Sequence, residues 1–174
     1  LGGRCETPEH LKATIGDLSV EVGRGAEQFL SAGSTMASGV ASYRGAPCTI
    51  AGVDDWAGPG LKFDVLLRAN RWRKTPTTVG PYLPLKIDDH LWARCPPWRG
   101  RAVRKYLTPL RLEAFHQLFD RIGELGPEDQ PPVSMVQIRN SALAIFAPAE
   151  LTEASQIVTL ANAAADLARS LSMD

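Results

Sequence analysis

The sequence predicts an α+β fold: an antiparallel sheet, laid down as an N-terminal strand meander, covered on one face by two C-terminal helices that a β-hairpin separates. Three observations carry this. Residues 13–95 are a series of short runs rich in Val, Ile, Leu, Tyr and Thr, punctuated by Gly, Pro and Asp. Beyond Tyr106 the apolar spacing changes to three and four residues. The chain of 174 residues, 44% hydrophobic and 22% charged, has the size and composition of a single globular domain with one real core.

In order, "ATIGDLSVEV", "GVASYRG", "APCTIAGV", "LKFDVLLRA" and "TTVGPYLPLKI" read as strands. "GAEQFLSAGSTMASG" is ambiguous, since its first half suits a helical turn and its glycines and serines end one. A helix is predicted over 108–123: Thr108 serves as N-cap, Pro109 takes the first helical position, and Leu112, Phe115, Leu118, Phe119 and Ile122 fall on one face. Residues 133–146 form two apolar runs around Arg139-Asn140-Ser141, a hairpin. A final helix over 152–172 aligns Ile157, Leu160, Ala161, Ala164, Leu167, Ala168 and Leu171, with alanines that allow close packing on a sheet.

The chain contains no internal repeat, low-complexity tract or long linker. No window approaches the ~18 uninterrupted apolar residues of a membrane span, and the first residues lack a signal-peptide layout. The start at Leu1 rather than Met suggests that something upstream has been cut away or left out, which leaves room for a membrane tether, leader or domain. The three cysteines, Cys5, Cys48 and Cys95, are an odd set in a chain that needs no staples, so a reducing, cytoplasmic compartment is the expectation. Abundant Ala, Arg, Gly and Pro suits a high-GC bacterial source.

Charge is where the sequence departs from the ordinary. Residues 1–67 hold five Lys or Arg against eight Asp or Glu, a net of −3; residues 68–106 hold ten against two, +8; residues 107–174 hold four against nine, −5. The basic middle also holds Trp72, Trp92, Trp98, Tyr82 and Tyr106. Its densest part, "RCPPWRGRAVRKY", places Arg94, Trp98, Arg99, Arg101, Arg104 and Lys105 within thirteen residues. Arginine beside an aromatic ring can pair with an anion and stack at once. Two prolines fix an extended bend, so the residues after them are expected on a displayed loop. The competing reading is structural: the outer face of a strand, with core tryptophans, neutralised by the chain's own acidic helices.

Named chemistries find less support. Cys5, His10, His90 and Cys95 would make four zinc ligands, yet both pairs have four intervening residues rather than a tight knuckle. No Gly-x-Ser-x-Gly elbow, Walker loop or dinucleotide fingerprint is present. His90 beside Asp88 and Asp89, or His116 with Asp120 and Glu113 one helical turn away, could be a carboxylate-oriented base; both patterns also suit turns and solvated helix faces. Asp54-Asp55 reads as a turn and not a calcium loop.

The sequence therefore points to a non-catalytic binding or interaction module, part of a larger assembly or longer chain, that meets an acidic protein partner through Arg94, Trp98, Arg99, Arg101, Arg104 and Lys105. No cofactor, metal site or catalytic residue is expected. A hydrolase-like enzyme using a His–carboxylate pair and a self-assembling structural subunit are the alternatives. Nucleic acid ranks lower because the net charge is zero.

Overall fold

A computed structural model of the chain describes residues 4–7, 10–24, 49–54, 56–67, 82–125, 135–147 and 150–173. Among these are nine strands: β1 (Arg4–Thr7), β2 (His10–Ile15), β3 (Leu18–Arg24), β4 (Thr49–Val53), β5 (Lys62–Leu67), β6 (Leu83–Lys86), β7 (Leu91–Cys95), β8 (Met135–Arg139) and β9 (Ala142–Phe146). They form one sheet in the order β1-β2-β3-β4-β9-β8-β5-β7-β6, and every pairing is antiparallel. Three helices follow β7 in sequence: α1 (Gly100–Tyr106), α2 (Pro109–Gly123) and α3 (Ala154–Ser172). The fold is α+β, with strands concentrated in the N-terminal half and two longer helices toward the C-terminus.

The sheet is not the simple meander that the sequence suggests. Strands β1 to β4 do run side by side, but the β8–β9 hairpin is inserted between β4 and β5. Pairing also starts at Arg4 rather than Ala13. "ATIGDLSVEV" is two strands and not one, because Gly16 takes φ 66° in a tight turn that β-carbon-bearing residues adopt at a cost. The run 39–45 and the ambiguous "GAEQFLSAGSTMASG" lie outside the described residues.

Alternation along the strands divides the buried residues between two faces. Val20, Val53, Phe63, Leu91, Ile138 and Ile145 point to the helix side and belong to one continuous core. Ile50, Leu66, Met135, Ala144 and Phe146 form a separate cluster on the opposite face. That second face is also where buried charge collects.

Helix α2 forms where its spacing predicts. Thr108 Oγ1 accepts from the Arg111 backbone N–H at 3.4 Å, Pro109 follows it, and Phe115, Leu118, Phe119 and Ile122 are buried. Helix α3 lies against β3, β4 and β9 through Leu160, Ala161, Ala164, Ala168 and Leu171, small side chains letting it approach the sheet closely. Its end is tied from several directions. Trp56 Nε1 donates to Ser172 Oγ at 2.6 Å, Tyr106 Oη to the Leu171 carbonyl at 3.3 Å, and Arg111 Nη2 to the Met173 carbonyl at 3.0 Å. The last two bonds satisfy carbonyls that a helix C-terminus leaves without intrahelical partners.

The hairpin turn is Asn140-Ser141, with Asn140 at φ 55°, a conformation asparagine tolerates. Residues 56–61 latch onto it: Trp56 N–H donates to the Ser141 carbonyl and Asn140 N–H to the Leu61 carbonyl, both at 2.9 Å. A β-carbon at Gly58 would overlap the Asn140 carbonyl oxygen, so only glycine allows this approach.

Candidate partner-binding site

The basic segment divides at Pro96. Before it, Cys95 ends β7 with its side chain in the helix-side core, and Arg94 points to the opposite face. Pro96 is extended at φ −56° and ψ 141°, as a residue preceding proline must be, and carries the chain off the sheet. Pro97–Arg99 is a single 3₁₀ turn closed by Arg99 N–H to the Pro96 carbonyl at 2.9 Å. The chain then enters α1, seven residues long. What the sequence presents as a loop is thus a short turn and a helix.

Helix α1 has little of its own to hold it. Arg99 occupies the N-cap without a side-chain hydrogen bond, and the first turn carries no acidic residue. Arg101, Arg104 and Lys105 lie at i, i+3 and i+4, where like charges cost about 0.2–0.5 kcal/mol per pair. The helix is held by burial of Val103 at 0% exposure and Leu107 at 5%, on the face that meets the core. Tyr106 closes its end against Phe63, edge to face at 5.8 Å, with the Arg111 guanidinium 4.4 Å above its ring. Burial pushes the Tyr106 hydroxyl up to about 12, against the opposing charge of Arg111.

The outer side is exposed. Trp98 is 73% accessible, and Arg99, Arg101, Arg104 and Lys105 are all at the surface. None of these four cations forms an ion pair among the described residues. Two acidic side chains of the C-terminal helices are engaged elsewhere: Asp166 pairs with Arg121 at 2.9 Å and Arg169 at 3.5 Å, and Glu113 accepts from Gln117 at 3.0 Å. Neither of these two carboxylates pairs with the basic strip.

Arg94 requires a correction, because it is not part of this surface. It is 2% exposed, on the sheet face away from the helices, with Nη2 3.0 Å from Asp64 Oδ2 and 3.1 Å from Met135 Sδ. The same carboxylate meets Arg139 Nη2 at 2.5 Å, and Arg139 Nη1 also donates to the Phe63 and Ile138 carbonyls at 2.9 and 2.8 Å. Register explains the grouping: Asp64 lies directly opposite Arg94 on β7 and Gln137 on β8, and Arg139 shares their side of the sheet two residues along. Trp92 Nε1, Arg94 Nε and Gln137 Oε1 are buried without a hydrogen-bond partner. The signal for this cluster was a lone Asp inside the apolar run "KFDVLL".

The histidines meet in an arrangement that sequence spacing did not show. His116 Nε2 lies 3.0 Å from Asp88 Oδ2, 28 positions away, and not against Asp120 on its own helix. Asp88 Oδ1 accepts the backbone N–H groups of His90 and Leu91 at 2.7 Å, and the two imidazoles stand edge to face at 6.3 Å. Burial would raise the Asp88 carboxyl, but these hydrogen bonds outweigh it and hold the group below its ordinary value. His90 is exposed and His116 is one-third exposed, and neither lines the open groove of about 250 Å³ between α2 and α3. Among the described residues, no three His, Cys, Asp or Glu side chains are grouped to hold a metal. Cys95 is buried; burial first, then the Asp64 carboxylate, raise its thiol against the pull of Arg104.

No family model, curated protein or solved structure matches this chain. No helix among the described residues is long and apolar enough to cross a membrane.

Proposed function

We propose that this chain is a non-catalytic binding module that engages an acidic protein partner through Trp98, Arg99, Arg101, Arg104 and Lys105. The observation that carries the reading is an exposed tryptophan beside four cations that form no ion pair among the described residues, on an element held from beneath by Val103 and Leu107. Fixing the backbone in advance lowers the entropy lost on binding, and a displayed Trp with Arg is the composition of an interface hot spot. The paired positive charges also favour an anionic partner, which relieves their mutual repulsion.

Fluorescence anisotropy with a labelled all-glutamate peptide tests this directly. The unmodified chain should bind, with affinity falling as salt rises, and a variant with Arg99→Glu, Arg101→Glu and Arg104→Glu should lose binding while melting normally. Equal binding by that variant removes the reading.

A further inference from the structure

Building on the acidic-partner reading, we propose that the occupant is a short acidic segment carrying one apolar side chain, which seats on Trp98 while its carboxylates meet Arg99, Arg101, Arg104 and Lys105. The size of the surface sets the size of the ligand. Seven residues of α1 rise about 10 Å, the length of roughly three residues of extended chain or two turns of a docked helix. A footprint this narrow fits a linear segment rather than a broad domain face.

Trp98 sets its composition. Its ring makes no aromatic or cation–π contact among the described residues, although Arg99 and Arg101 flank it in sequence and a guanidinium readily stacks on an indole. The arginines are therefore left to receive carboxylates, and the indole face is left open. Pro96 and Pro97 restrict the backbone that presents it, which lowers the ordering cost when a side chain lands on the ring. Carboxylates alone would leave this apolar ring in water. An acidic segment with a leucine or similar residue at one end satisfies both halves of the surface.

Other anionic partners fit less well. Nucleic acid strands are bound over successive aromatic platforms, whereas Tyr106 is committed to Phe63, Arg111 and Leu171, and Trp92 has its indole nitrogen buried. A membrane surface favours several inserted apolar groups together, and the other large exposed ones among the described residues, Leu83, Leu110 and Met173, lie on other segments.

The test compares the all-glutamate peptide with the same peptide carrying a central leucine, on the unmodified chain and on Trp98→Ala. The leucine should strengthen binding by about tenfold or more on the unmodified chain, and the gain should vanish in Trp98→Ala, whose exposed position leaves the melting temperature unchanged. Charge reversal at Arg99, Arg101 and Arg104 should abolish binding of both peptides. Salt-sensitive binding with no leucine advantage overturns this inference and leaves the acidic-partner reading standing; failure of the unmodified chain to bind either peptide overturns both. Tighter binding to phosphatidylserine vesicles or to oligothymidylate than to the leucine peptide would also overturn it, assigning the surface to a membrane or to nucleic acid.

Discussion

Replacing Asp64 by Asn should destabilise the protein severely without changing its shape. The substitution is nearly isosteric and removes one charge, yet that charge faces two guanidiniums whose side chains are only 3% and 7% exposed, at 3.0 and 2.5 Å. Removing one partner of a buried ionic group costs about 3–5 kcal/mol, because the remaining charge stays in a poorly solvating interior. Against a total stability of about 5–15 kcal/mol, that is a large share. With a urea dependence of about 2 kcal/mol/M, the unfolding midpoint should fall by roughly 1.5–2.5 M at an unchanged slope. Arg94→Met should also destabilise by about 1–3 kcal/mol, since it removes a bond to a buried carboxylate. An exposed arginine changed to Met would cost no more than about 0.5 kcal/mol. An Asp64→Asn variant within about 1 kcal/mol of the unmodified protein, or a neutral Arg94→Met, would refute the placement of this cluster.

Two further outcomes rest on separate contacts. Gly58→Ala should cost about 2–4 kcal/mol in chemical denaturation, because the new methyl group displaces the loop from Asn140 and disrupts the two 2.9 Å backbone bonds that latch it; a smaller loss shows that the loop can shift freely. The Asp88 carboxyl, held below its ordinary 3.8 in the folded state, contributes stability that is present above that value and lost as pH falls through the lower folded one. The stability difference between the unmodified protein and Asp88→Asn, measured from about pH 6 to about pH 2, should therefore shrink on acidification, and a constant difference would show that the charge of Asp88 adds nothing.

Local signals in the sequence located the later elements well. Helix α2 starts at its Thr108-Pro109 signature, and the hairpin turns at Asn140-Ser141, because caps and turns are set by a few adjacent residues. Helix α3 follows its alanine and leucine stripe. Helix α1 was hidden because its single apolar anchor within the helix, Val103, sits among arginines that read as a patch and behind prolines that read as a bend. The insertion of β8 and β9 could not be read at all, since pairing between residues 50 and 146 leaves no mark on neighbouring positions. For the same reason Arg94 looked like Arg99: residue type does not tell which face of a strand a side chain takes, and only the Asp64 opposite it explains its burial. The exposure of Arg99, Arg101, Arg104 and Lys105 was legible from their charge, and that of Trp98 from the proline bend before it.

The late insertion of the β8–β9 hairpin also bears on how the chain reaches its native state. During synthesis, β1 to β4 and β5 to β7 emerge well before the hairpin that joins them, so the central β4 and β5 must wait for residues 135–146. Contacts between positions so far apart in sequence are slow to form. Meanwhile the strands destined for the middle of the sheet have open edges, and these pair readily with other chains. The proline and lysine on β6 and the bulge in β1 guard the two outer edges, but neither protects that temporary gap. The vulnerable period ends only when the hairpin closes the sheet, which makes its arrival the step most exposed to misassembly.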